Sequence, residues 1–148
     1  MDKPTVLIID DHQLIRDMWT RVLEDSGQVL VLKISGRLTQ TLALEMIHEK
    51  KPAVVLLDVY MTPLTGFELM PIIKQASPGS HVIGFSVHAN AAYAKQLLQL
   101  GASGYVTKNA EVSEVLTAIN EVVKGNIFLT DEIRNMIKNV EGAENVKM

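Results

Sequence analysis

Five polar residues of this chain each stand directly after a short apolar run. Asp10 and Asp11 follow TVLII, Asp58 follows VVLL, Ser86 follows HVIGF and Lys108 follows GYVT. Carboxylates gathered at one place raise one another's proton affinity unless a cation relieves them, and an all-oxygen set open to water suits Mg2+. One lysine and one hydroxyl directed at the same spot suit a phosphoryl group, the ammonium balancing its oxygens and the hydroxyl donating a hydrogen bond. A carboxylate can itself be the nucleophile in phosphoryl transfer, forming an aspartyl phosphate. Asp58, alone at the end of the central run, is the expected acceptor; Asp10 and Asp11 are better placed as metal ligands, one directly and one through water. Each residue has a plainer reading as well: Asp caps helices, a lysine after a strand is usually surface, and Ser86 can be a satisfied edge hydroxyl. Their conjunction at one sheet edge is what points to chemistry.

The elements around them must supply that edge. Val54 to Leu57 is a continuous apolar run between breakers, the pattern of a strand buried on both faces in a parallel sheet. Thr5 to Ile9, Val29 to Ile34, His81 to Phe85 and Gly104 to Thr107 read the same way, with a turn at Gly36. Between them lie helical stripes. The first has Leu14, Ile15, Met18, Trp19, Val22 and Leu23, with Asp11 as its N-cap and Gly27 as its stop. Leu42, Met46 and Ile47 mark the second helix, ended by Lys50, Lys51 and Pro52. Leu69, Ile72, Ile73 and Ala76 mark the third, where Pro71 predicts a delayed or kinked start and Ser77-Pro78-Gly79 a sharp end. Ala94, Leu97 and Leu98 form the fourth, stopped by Gly101, and Val112, Val115, Leu116, Ile119, Val122 and Val123 the fifth and most regular. Five strands alternating with five helices predict an α/β fold with a single doubly wound, five-stranded parallel sheet. In the order 2-1-3-4-5 the first and third strands adjoin at the topological switch point, so three carboxylates share one crevice.

At 148 residues the chain is one domain by length, and chains of this size bury about 70% of their unfolded surface without a staple. With 47% hydrophobic residues and a net charge of -3 it lacks the positive field of a nucleic-acid binder. It has no cysteine, hence no disulfide, thiol nucleophile or zinc-thiolate site. The start MDKPTVLIID has no signal-peptide layout and no apolar run has the length of a membrane span, so a cytoplasmic protein is expected. The spacing of the histidines makes no metal site: His48 and His81 read as exposed, while His12 and His88 flank the crevice. The tail from Gly125 to Met148 predicts one short helix, Asp131 to Asn139, capped by Thr130, with fraying beyond, and reads as a connector toward an output domain rather than as part of the receiver core.

The acidic pair in IIDDH, the strand VVLLD, and the segments FSVHA and GASGYVTKNA together resemble the receiver domain of two-component response regulators, most closely the class with a LuxR-type DNA-binding output. The similarity runs from about Lys3 to Leu129, which sets a receiver domain at 1–125 and a connector at 126–148. The resemblance implies a flavodoxin-like, CheY-like fold in which Asp58 accepts a phosphoryl group from a histidine kinase. It implies that Asp10, Asp11 and Asp58 hold Mg2+ together with the main-chain carbonyl of Tyr60. Lys108 would pair with the phosphoryl oxygens, and Ser86 would swing to hydrogen-bond them as Tyr105 turns inward. Weak self-catalysed phosphorylation and dephosphorylation are expected rather than enzymatic turnover. The partners implied are the kinase, a second copy in a homodimer, and DNA only through a downstream output domain, with no membrane. A stand-alone receiver in a phosphorelay is the alternative. One departure is visible: where the family commonly has Asp-x-x-Met-Pro and then Gly, Thr62 takes the proline place and Pro63 follows, although Met61 and Gly66 keep their offsets.

Three rival readings are weaker. A phosphatase resembling the haloacid dehalogenase group needs Asp-x-Asp after the first strand, which Asp10-Asp11-His12 does not supply. A flavin or nucleotide binder needs a Gly-rich turn after Ile9, and none follows. A pseudo-receiver acting only as a surface would not need the acidic, hydroxyl and lysine positions that are all present.

Overall fold

The computed structural model describes residues 2–34 and 37–146. Six parallel strands form one sheet in the order β2-β1-β3-β4-β5-β6: β1 Thr5–Ile9, β2 Leu30–Val31, β3 Val54–Leu57, β4 His81–Ser86, β5 Gly104–Thr107 and β6 Phe128–Leu129. The helices are α1 Gln13–Asp25, α2 Gln40–Lys50, α3 Gly66–Ala76, α4 Ala91–Gln99, α5 Val112–Val123 and α6 Asp131–Val146. Alternation along the strands divides the core in two. Leu7, Ile9, Val55, Leu57 and Tyr105 face α2, α3, α4 and α6, whereas Val6, Ile8, Val54, Leu56 and Phe85 face α1 and α5. Both faces being covered explains why the strands read as unbroken apolar runs.

The doubly wound order of the first five strands is as expected, and β6 extends it. The sixth strand was not legible because it is two residues long. It needs Gly104: a Cβ there would lie 2.5 Å from the carbonyl oxygen of Phe128 on β6. The final helix runs to Val146, past the expected end at Asn139, and its Ile133 is fully buried in the same core as Tyr105. At the opposite edge β2 is shorter than the expected Val29 to Ile34, being paired on one side only, by β1. The predicted turn at Gly36 lies outside the described residues.

Two helix starts differ from expectation. The N-cap of α1 is His12, not Asp11, and it makes no side-chain capping bond. The start of α3 is not delayed by Pro71, because a capping box sets it first: Thr65 accepts from the Glu68 amide at 3.2 Å and Glu68 accepts from the Thr65 amide at 3.0 Å. Pro71 therefore sits inside the helix, on its exposed side, where solvent can satisfy the carbonyl that loses its partner. The stripe of α1 also shifts. Arg16, Trp19 and Leu23 are its buried residues, while Leu14 is 85% exposed and Met18 faces solvent too.

Candidate functional site

The C-terminal strand ends place the site. Asp10 ends the run after β1, Asp58 follows β3, Ser86 closes β4 and Lys108 follows β5, and the pairing of β1 with β3 brings Ile9 level with Leu57. Asp10 is 1% exposed and Asp58 5%. The Lys108 ammonium lies 2.5 Å from Asp10 Oδ2 and 3.5 Å from Asp58 Oδ2, and its side chain is 7% exposed. Its ammonium nitrogen lies over the Phe85 ring, 5.9 Å from the centroid, so the charge is held between two carboxylates with an aromatic face beneath it.

Asp11 keeps its carboxylate half open to solvent, 3.3 Å from His12 Nδ1. The backbone N–H of His12 donates to Asp10 Oδ1 at 2.9 Å. One oxygen each of Asp10, Asp11 and Asp58, together with an imidazole nitrogen of His12, all lie within 4.8 Å of one another. Three carboxylates against one ammonium leave an excess of negative charge around oxygen donors, which is the chemistry of a hard divalent cation site. The three carboxylates expected as ligands are thus gathered in one place. His12 was expected only to flank the crevice, and it contacts both members of the acidic pair.

Burial pushes the Asp58 carboxyl above the usual aspartate range; Lys108 pulls it back, the Asp10 charge adds to the rise, and the Tyr60 amide, 3.4 Å from Asp58 Oδ1, lowers it. A carboxyl with a folded-state pKa above its unfolded one opposes folding when ionised. That penalty is absent at low pH, where Asp58 is protonated in both states, and it develops as pH rises through the ordinary aspartate value to the folded one. Asp58→Asn is therefore expected to raise the Tm of the metal-free protein at pH 7. An effect on the order of 1 kcal/mol, common for relieved functional sites, corresponds to about 2–4 °C. Thermal melts at neutral and acid pH check this: the gain should shrink as pH falls through the folded value toward about 4 and be absent below it.

Gly66 lets α3 start against the acceptor, since a Cβ there would lie 2.6 Å from the Asp58 carbonyl oxygen. Ser86 Oγ accepts from the His88 amide at 3.1 Å, and the Tyr105 hydroxyl donates to the His88 carbonyl at 2.7 Å. The two residues expected to move together are tied to opposite ends of one residue. Tyr105 is fully buried, its ring accommodated by Gly84, where a Cβ would lie 2.9 Å from the ring and 2.6 Å from Leu97 Cδ1. At the mouth of the crevice the exposed Tyr60 ring stands edge-on to His88 and Tyr93, at centroid distances of 5.2 and 5.6 Å. His81 is half-buried rather than exposed, and burial lowers its pKa.

Sequence reasoning passed over Arg16. Its guanidinium donates to the Asp10 carbonyl at 2.8 Å and is buried, so it fixes the main chain at the acidic pair. The signal was there: a cation spaced three and seven residues before Trp19 and Leu23 lies on the buried side of α1.

Fold and site together define a signalling receiver, and the comparisons agree. Residues 6–120 match the family of the response regulator receiver domain, and the chain belongs to that family. It is similar to the response regulator GacA of Pseudomonas viridiflava, 33% identical over 132 residues that make 89% of this chain and 61% of that protein. The chain thus spans about three fifths of the length of the curated relatives it matches. Among solved structures it resembles a LuxR-family two-component response regulator from Aurantimonas sp. SI85-9A1, with TM-score 0.85, 24% identity, and 95% of this chain and 99% of that one covered. It also resembles the signal receiver domain of a Mycobacterium tuberculosis protein assigned as the response regulator NarL, with TM-score 0.74, 30% identity, and coverages of 85% and 100%. Among the described residues no helix is long and apolar enough to cross a membrane.

Proposed function

We propose that Asp58 is the phosphoacceptor of a two-component response regulator, phosphorylated in the presence of Mg2+ by a histidine kinase and coupled to a LuxR-type transcriptional output. The observation that supports this most directly is the buried Asp58 carboxylate, with raised proton affinity, lying 3.5 Å from the Lys108 ammonium and beside Asp10. An Asp58 oxygen attacks phosphorus; the bond from phosphorus to the donor's imidazole nitrogen breaks, its electron pair stays on that nitrogen, and an acyl phosphate forms. Bound Mg2+, held by Asp10, Asp11, Asp58 and the main-chain carbonyl of Tyr60, would supply positive charge opposite the phosphoryl oxygens. Lys108 adds its own charge as it exchanges Asp10 for the incoming group.

Ser86 and Tyr105 carry the switch in this reading. The Ser86 hydroxyl uses its oxygen on the His88 amide, which leaves its proton for a phosphoryl oxygen. A Ser86 that moves toward Asp58 gives up the His88 amide, and His88 in turn holds the Tyr105 hydroxyl through its carbonyl. Adding about two negative charges beside Lys108 therefore shifts both residues and the surface formed by α4, β5 and α5. The receiver spans 1–125 in this proposal and 126–148 is a connector, but one whose β6 and Ile133 are built into the receiver's sheet and core instead of lying outside them. A cytoplasmic location and a homodimeric active form go with it, and DNA would be reached only through an output domain.

Incubation with acetyl phosphate and Mg2+ tests the reading by intact mass. Wild-type protein should gain one phosphoryl group, Asp58→Asn should gain none, and chelation by EDTA should abolish labelling. Equal labelling of Asp58→Asn removes the assignment. Spectra by NMR with beryllofluoride should show shifts at Tyr105 and Ser86, and changes confined to the vicinity of Asp58 would sink the coupling.

A further inference from the structure

The acceptor loop from Val59 to Thr65 carries the Tyr60 carbonyl and follows Asp58 directly, so its shape decides where two of the site's oxygen donors stand. Its ends are secured by its own strand and helix. The Gly66 amide donates to the Val59 carbonyl at 2.8 Å, and the capping box fixes Thr65. Leu64, the loop residue just before that cap, is secured from outside. Gln40, the first residue of α2, donates from Nε2 to the Leu64 carbonyl at 2.7 Å and accepts from the Leu64 amide at 3.1 Å through Oε1. A primary amide is the side-chain group that can meet both the N–H and the C=O of one peptide residue, and asparagine at this place would be a methylene short. Gln40 also lines one cleft of about 200 Å3 with Asp11, Thr39, Met61 and Thr62, so the clamp and the exposed member of the acidic pair border the same space.

We propose that Gln40 is a positioning residue for the cation site, holding the acceptor loop in the conformation that presents the Tyr60 carbonyl and Asp58 together. The proposal rests on the phosphoacceptor reading and adds a residue from α2 that touches neither metal nor phosphoryl group. A loop that is pre-ordered binds a cation without paying for its ordering at that moment, so loss of the clamp lowers affinity by the fraction of molecules still ordered. Two hydrogen bonds to a half-buried peptide are together sufficient for about a tenfold change in that fraction.

Gln40→Met keeps side-chain length and helix propensity while removing both bonds. Val122→Ala serves as the control: Val122 is fully buried on α5, in the core on the opposite face of the sheet from α2, so its loss lowers stability and leaves the clamp. Three readouts are compared: amide hydrogen exchange at Leu64 in metal-free protein, Mg2+ affinity by calorimetry, and Tm. In Gln40→Met, Leu64 exchange should accelerate and Mg2+ should bind more weakly, each by about tenfold, a factor expected from partial loss of loop order. In Val122→Ala, Tm should fall while both other readouts stay near wild type. Unchanged exchange and affinity in Gln40→Met, or equal weakening in Val122→Ala, would overturn the proposal. Wild-type protein that binds Mg2+ but takes no phosphoryl group from acetyl phosphate defeats the phosphoacceptor reading alone, and wild-type protein that binds no Mg2+ defeats both.

Discussion

Lys108→Met will destabilise the metal-free protein at neutral pH by about 3 kcal/mol, the usual cost of removing one partner from a buried ion pair. Methionine has nearly the length of the lysine stem and removes only the ammonium, including its place over the Phe85 ring, so the effect is chiefly one of charge. Asp10, 1% exposed, keeps the His12 amide but loses the ammonium 2.5 Å away. Asp58 loses the main influence that lowers its proton affinity, and burial together with the Asp10 charge carries it higher. The sign follows: two ionised carboxylates face each other, so the deficit is greatest where Asp58 is ionised and shrinks as pH falls far enough to protonate it. Urea denaturation at pH 7 with EDTA measures the loss, and added Mg2+ should restore part of it. A variant as stable as wild type under chelation would show that the ammonium is not what keeps the carboxylates in place. The same variant should lose the conformational response to beryllofluoride, because the positive side chain facing the new charge is gone.

The second large effect is expected far from the site. Ile133→Ala should cost about 3 kcal/mol, within the range for deleting a fully buried aliphatic side chain and leaving a cavity. Ile133 is 0% exposed and packs with Leu97 and Tyr105 in the core under α4. The same change at Ile127, 67% exposed, should stay within about 0.5 kcal/mol. The two residues sit in one tail, so a tail only loosely attached to the receiver would make the two variants alike. Chemical denaturation of both decides it. Deletion of everything after Gly125 should likewise lower stability, since β5 would lose the hydrogen bonds from Phe128 to Ser103 and from Thr130 to Tyr105.

Much of this protein was already present in its residue order. Strands covered on both faces must be apolar without alternation, so β1, β3, β4 and β5 announced themselves, and the polar residue that ends each run had nowhere to go but the C-terminal edge. Asp10, Asp11, Asp58, Ser86 and Lys108 were legible for that reason. Hydrophobic periodicity likewise placed α5 at its observed bounds, because every turn of it is packed. Tertiary structure decided the rest, where local pattern and final environment part company. Pro71 argued for a late helix start, yet the capping box that begins at Thr65 comes earlier in the chain and sets the start. Leu14 and Met18 looked like core, but Arg16 was drawn inward to the Asp10 carbonyl and rotated them outward. Gln40 carried no signal, because its partner Leu64 is 24 residues away and offers only its backbone. The two-residue β6 lacks enough length for any period, and it exists because Gly104 leaves room for it and Ile133 closes over the core behind it. Periodicity records which face of an element is covered; only packing determines what covers it, and long-range hydrogen bonds to bare backbone leave no trace in side-chain pattern.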